Sequence, residues 1–260
     1  MSLKKLISEE QVTTTDNMVT IGIVGITIPG ALDCMQKIRQ QSKQYFEDDE
    51  NPNMMLDQSN FKPTHAAQDA GRWDLVANHL IASIKKLELA GANFVIIPAN
   101  TVHKVIDVVQ QNVSIPIINL LEIVSEDCAK KNFKKVGVIG TSITMSDHLY
   151  RKSLQTRGIE EIIPSEVDQE IIHKVIFTEL IPTGKASVES LNAILGVVRR
   201  LKEQGCDSII LACTELPLIL NDTNCEIATI DSTDVLAKCA LEYVVNFNNQ
   251  LNNDPQACRI

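Results

Sequence analysis

Ligand spacing for metals is missing from this chain: neither Cys-x-x-Cys nor His-Glu-x-x-His occurs, and the five histidines stand far apart. A dedicated metal site is therefore not expected. No run of about 18 or more apolar residues occurs either, so no membrane-spanning helix is expected. Basic charge is in short supply, with 24 Lys and Arg against 33 Asp and Glu, a net charge of −9. That balance argues against nucleic acid or an anionic membrane as partner, while a small anionic substrate needs local donors to offset the repulsion. Gly22-Ile23-Val24-Gly25 lacks the third glycine of a dinucleotide fingerprint, which sets nicotinamide cofactors aside, and no cofactor is expected. Residues 1–17 are polar and lack the apolar core of a secretory signal, so they read as a loose leader with a short helix around Lys4 to Gln11. The seven cysteines are odd in number and scattered, which suits reduced thiols. A cytoplasmic protein is the expectation.

What the chain does contain is an alternation of short apolar strands with helices. Strands are expected at Val19–Gly25, around Met54–Leu56, and at Phe94–Ile97, Ile115–Asn119, Val136–Gly140, Glu161–Pro164, Ser208–Ala212 and Glu226–Ile230. Helices are expected at Asp33–Gln44, Trp73–Ala90, Val102–Gln111, Leu121–Lys131, Ser146–Arg157, Asp168–Leu180, Ser187–Gln204 and Thr233–Asn246. The polar piece from Tyr45 to Gly71 reads as one strand flanked by loops. The pattern predicts an α/β fold with parallel sheets.

The two halves of the chain repeat each other. Ile84 to Ala99 lies over Val198 to Cys213 without a gap, and Ile21-Gly22-Ile23-Val24-Gly25 matches Val136-Gly137-Val138-Ile139-Gly140. Two doubly wound, pseudo-symmetric half-domains are expected, with a ligand cleft between them at the strand ends. The division is a leader at 1–17, an N-terminal half at 18–118 that takes in the last helix, 233–246, a C-terminal half at 119–232, and a flexible tail at 247–260. In this superposition Ala99 falls on Cys213, so one half offers a thiol and the other a methyl group.

Cys213 ends an apolar strand, with Thr214 placed to cap a following helix and Pro217 in its first turn. Amide donors at such a helix start would lower the thiol pKa and favour a thiolate; the plainer alternative is a cysteine packed as a small hydrophobe. The polar Glu215 beside it favours chemistry. Asn100, Thr101, Thr141, Ser142 and Thr144 sit at strand-to-helix turns, where they either cap helices or hold a carboxylate. His103 is either a cap or an acid facing the cleft.

At these residues the chain resembles the aspartate/glutamate racemase family of cofactor-independent enzymes. The matching motifs are Ile21–Gly25, Pro98-Ala99-Asn100-Thr101-Val102-His103, Gly140-Thr141-Ser142-Ile143-Thr144-Met145 and Ala212-Cys213-Thr214-Glu215-Leu216-Pro217-Leu218, within a likeness from about Thr20 to Val245. The resemblance implies removal of an amino-acid α-proton by one base and its return by a second across the plane, both usually cysteines, acting on aspartate or glutamate. Cys213 matches the second cysteine; the first position is Ala99, which carries no proton. Asn100, Thr101, Thr141, Ser142, Thr144 and Thr214 match positions lining the substrate site, and Thr27 stands where a methionine is common. His65 and Ile181 occupy the positions of the arginine and lysine that bind carboxylates in aspartate-specific members, with Arg72 and Lys185 near in sequence. The alternatives that the single thiol allows are a one-cysteine decarboxylase or isomerase, and a carboxylate-binding protein with weakened catalysis. The expected partner is a small amino acid or carboxylate, and the resemblance implies a homodimer.

Overall fold

A computed structural model of the chain describes residues 19–47 and 50–253; the leader with its short helix, and the tail beyond 253, lie outside the described residues. In chain order the elements are β1 (Thr20–Gly25), α1 (Ile28–Ser42), β2 (Asn53–Gln58), α2 (Phe61–Asp69), α3 (Trp73–Leu89), β3 (Phe94–Ile96), a 3₁₀ turn at Thr101–Val105, α4 (Ile106–Gln110) and α5 (Leu120–Lys130). There follow β4 (Lys135–Gly140), α6 (Ser142–Ser146), α7 (Arg151–Gln155), β5 (Glu160–Ile162), α8 (Glu166–Val175), a π-helical turn at Ile176–Leu180, α9 (Ile181–Thr183), α10 (Val188–Glu203), β6 (Ser208–Ala212), a short 3₁₀ turn at Leu216–Leu218, β7 (Ala228–Asp231) and α11 (Ser232–Asn253).

The strands form two all-parallel sheets, ordered β2-β1-β3 and β5-β4-β6-β7. Their registers reproduce the repeat read from the sequence. Ile21, Gly22 and Ile23 lie beside Phe94, Val95 and Ile96, and the matching Val136, Gly137 and Val138 lie beside Ser208, Ile209 and Ile210. Both central glycines are needed where they stand: a Cβ on Gly22 would come within 2.7 Å of the Val95 side chain, and one on Gly137 within 3.0 Å of Ile209 and Leu201.

Alternation along the strands divides the core. Ile21, Ile23, Phe94, Ile96, Val136, Val138 and Ile210 point into one cluster shared by both sheets, which α5 and α11 also enter through Val124 and Leu236. Val24, Val95 and Ile97 point the other way, onto α3, while Ile139, Ile209 and Leu211 face α8 and α10. Such two-sided burial explains why the strands read as unbroken apolar runs. Helix α11 packs on α1 and α5 and runs through 253, so the helix is longer than expected at the expense of the tail.

Several local expectations are corrected. The piece 45–71 holds a helix, α2, as well as β2: the Asn60 side chain accepts from the Lys62 amide, and Pro63 is tolerated in the first turn. Helix α1 begins at Ile28, five residues early, because Thr27 caps it by accepting from Gly30 N and Pro29 fits its first turn. Residues 115–119 make only a single parallel bridge, Val95 to Ile117, since Pro116 has no amide to donate. The helix expected at 146–157 is broken into α6 and α7 at His148, which adopts a left-handed φ of 51°.

The 3₁₀ turn after β3 packs His103 inside, 2% exposed. Its Nδ1–H donates to the Ala99 carbonyl at 2.8 Å, and Nε2 has no partner among the described residues. Burial pushes the imidazole down from 6.5 to about 4. A buried neutral histidine is stabilising above its unfolded pKa and is progressively lost as pH falls below it, because only the unfolded chain then takes a proton. Between about pH 7 and pH 5 this single group is expected to remove about 2 kcal/mol of stability. Denaturant titrations at the two pH values check it: His103→Gln should show a shallower acid loss by about that amount, and parallel pH dependences would contradict the assignment.

Candidate active site

Strands β1, β3, β4 and β6 all end at one cleft, the position at which parallel sheets leave loops and amide donors unpaired. After β3 the wall is Ala99, Asn100 and Thr101; after β6 it is Cys213, Thr214 and Glu215; β1 contributes Ile26 and Thr27, and β4 contributes Thr141. The repeat-related pair Ala99 and Cys213 thus lines one cavity.

Cys213 is 8% exposed, and its Sγ–H donates to Glu215 Oε2 at 3.1 Å. The Thr214 hydroxyl donates to the same oxygen at 2.7 Å. Glu215 is 4% exposed, and its Oε1 has no partner among the described residues. The expected thiolate is corrected. Burial pushes the Cys213 thiol well above its ordinary value, and the charge of Glu215 adds to the rise. No helix of useful length follows the strand either: the turn at Leu216–Leu218 is three residues long with Glu215 at its start, so Thr214 caps nothing and no helix dipole reaches the sulfur. Cys213 is a protonated thiol hydrogen-bonded to a carboxylate. Thr214 also meets the first turn of α1, where a Cβ on Gly30 would come within 3.1 Å of its hydroxyl, so the tight fit of β1's loop against β6's loop needs that glycine.

The Asn100 side chain is committed to structure. Its Nδ2 donates to Ser232 Oγ at 3.1 Å, Ser232 donates to the Leu211 carbonyl at 3.0 Å, and the buried Tyr150 hydroxyl donates to Asn100 Oδ1. Asn100 therefore reaches the cleft with its backbone and fastens the two strand ends behind it. Thr101, Thr141 and Thr144 form a triangle of hydroxyls, with Oγ1 atoms 3.0, 3.0 and 3.1 Å apart. Thr101 and Thr141 line the cleft, while Thr144 is fully buried and supports them from behind. Ser142 is not on the wall: its amide is given to His173 Nδ1 at 3.3 Å. His103 is not on the wall either, and as a neutral ring bound to the Ala99 carbonyl it is no proton source for the cleft.

At the rim, His65 and Gln68 of α2 face Phe177 and Ile181 across the opening, with His65 and Phe177 rings 5.6 Å apart. Phe177 lies in the π-helical turn, a distortion often found beside functional sites. Arg72 is turned to Asp74 through two hydrogen bonds, and Lys185 is exposed; neither lines the cleft. Sequence reasoning missed Gln68, which stands on the unexpected helix α2, Phe177, which lies in the π-helical end of a helix that was expected, and Tyr150 and Ser232, which are distant partners without a local signature.

Among the described residues no group of three or more His, Cys, Asp or Glu could hold a metal ion, and no helix is long and apolar enough to cross a membrane. Comparison with known proteins adds to the geometry. The chain is 30% identical over 165 residues, 64% of its length and 70% of the relative's, to the broad specificity amino-acid racemase RacX of Bacillus subtilis (strain 168). Its fold superimposes on PH1733, an aspartate racemase homologue from Pyrococcus horikoshii OT3, with a TM-score of 0.76 and 30% identity, covering 87% of this chain and 99% of the other. The fold is also that of the Picrophilus torridus aspartate racemase, at a TM-score of 0.72 and 20% identity, covering 89% and 99% of the two chains. The family model for Asp/Glu/hydantoin racemases matches residues 23–240, and the chain belongs to that family.

Proposed function

We propose that the protein is a cofactor-independent amino-acid racemase or epimerase in which Cys213 is the one thiol acid and base. The observation that carries this reading is the Cys213 Sγ–H···Oε2 Glu215 hydrogen bond in a cleft whose facing position is Ala99. To act as a base, the thiol passes its proton to Glu215, and the resulting thiolate takes the α-proton of the substrate, restoring the thiol and leaving a carbanion. The Thr101 and Thr141 hydroxyls and the turn amides are the donors that would hold the α-carboxylate as charge develops on it. The second oxygen of Glu215 is an acceptor suited to the α-ammonium group. Ala99 has no proton to give, so return to the opposite face falls to solvent, and α-proton exchange should run faster than inversion.

A second reading rests on the same resting thiol. Because burial keeps Cys213 protonated, the site also suits an enzyme that only donates: loss of CO2 from a small dicarboxylic acid would leave an enolate-like carbanion for the thiol to protonate. Release of CO2 from substituted malonates, without exchange on amino acids, distinguishes that decarboxylase.

Removal of the thiol is the direct test. Cys213→Ala should lower α-proton exchange by at least about 100-fold, measured by NMR in D2O, and undiminished exchange would end the assignment. Glu215→Gln should slow exchange by about 10-fold or more while moving the thiol's alkylation midpoint to lower pH, since the carboxylate now raises it; an unmoved midpoint would remove Glu215 from the proton path. Ala99→Cys should increase inversion relative to exchange, read by chiral chromatography, and an unchanged ratio in a folded, substrate-binding variant would contradict the one-thiol account.

A further inference from the structure

The residues around the outer cleft restrict what side chain a substrate can carry. Among the described residues lining the cleft there is no lysine and no arginine. The charged or ionisable wall groups other than Cys213 are Glu215, an anion, and His65, whose Nδ1 lies 3.3 Å from Asp69 Oδ2. Any positive charge on His65 is thus already matched by its neighbour. Opposite it stand the Phe177 ring and the Ile181 side chain, with the Gln68 amide beside His65 as the other polar group of the rim; the threonines of the wall are uncharged. His173, behind Phe177 with ring centroids 4.5 Å apart, is held toward its neutral form by burial and accepts the Ser142 amide. Arg72 is paired with Asp74 outside the wall, and Lys185 is exposed outside it.

A substrate with a second carboxylate would lose its water there, meet no unmatched cation, and share the cavity with Glu215. Leaving a buried charge unpaired is among the most costly arrangements in a protein. An uncharged side chain meets the opposite conditions: Phe177 and Ile181 offer apolar contact, and Gln68 both donates and accepts. We infer that this cleft selects amino acids with uncharged side chains, of the methionine, leucine or glutamine type, and discriminates against aspartate and glutamate. The inference rests on the amino-acid reading above and concerns the part of the site that faces the side chain.

The test uses isosteric pairs, so that charge alone varies. Dissociation constants for asparagine and aspartate, glutamine and glutamate, and for methionine and leucine are measured by titration calorimetry on the full chain at about pH 8, and α-proton exchange is followed on the same samples in D2O. Neutral members should bind on the order of 100-fold more tightly than their charged isosteres. Equal or tighter binding of aspartate or glutamate, or no binding of any neutral member, overturns the inference. Selective neutral binding without exchange supports the inference and sinks the racemase reading, so the two fail separately. A second variant tests the cause: Ile181→Lys, which adds a cation to the wall, should improve glutamate binding by about 10-fold or more relative to glutamine. A folded Ile181→Lys protein with unchanged preference would show that the missing cation is not what selects.

Discussion

The cleft depends on a buried relay centred on Asn100. Tyr150 donates to the amide oxygen, the amide nitrogen donates to Ser232, and Ser232 donates to the carbonyl of Leu211, two residues before Cys213. Asn100 itself follows Ala99. The relay therefore ties the end of one sheet's edge strand to the end of its counterpart in the other sheet, through the first residue of α11. Buried polar chains of this kind hold position because breaking any link strands a donor or acceptor away from water. Everything at the cleft that requires two halves in register, the hydroxyl triangle above all, stands on that fastening.

The thiol illustrates a competition between two electrostatic effects. A cysteine at a strand end before a helix would gain stabilisation as an anion from the helix start; a cysteine in a dry cavity beside a carboxylate would lose it. Here the helix is reduced to one short turn and the carboxylate is Glu215, so burial and like charge prevail. In the proposed reaction the thiol is therefore a resting acid whose basic form is reached through Glu215, which puts the carboxylate on the same proton path as the sulfur. The same carboxylate enters the inferred preference against a second carboxylate on the substrate.

Much of this was legible in the residues. The ungapped match of Ile84–Ala99 with Val198–Cys213 is borne out as identical strand registers in the two sheets, because apolar alternation and the glycines at 22 and 137 set the same packing twice. The Ala99 and Cys213 juxtaposition follows from that symmetry alone. What the sequence hid depends on long-range partners. Thr144 and Ser142 look equivalent to Thr141 in a motif, yet only Thr141 reaches the cleft wall, since helix α6 turns the other two away from it. Helix α2 was concealed by a polar run with a proline, and with it went the rim residue Gln68. The direction of the Cys213 pKa required knowing how deeply the thiol is buried and then where the Glu215 side chain folds, which no spacing reveals.

The central claim is that one thiol serves one face of the substrate. Its most direct measurement is α-proton exchange in D2O started separately from each enantiomer of a bound amino acid, with deuterium content and configuration followed together by NMR and chiral chromatography. The account predicts that one enantiomer exchanges quickly with retained configuration, while inversion lags behind. Equal exchange from both enantiomers, with every exchange event inverting the centre, would contradict it and require a second protein base facing Cys213.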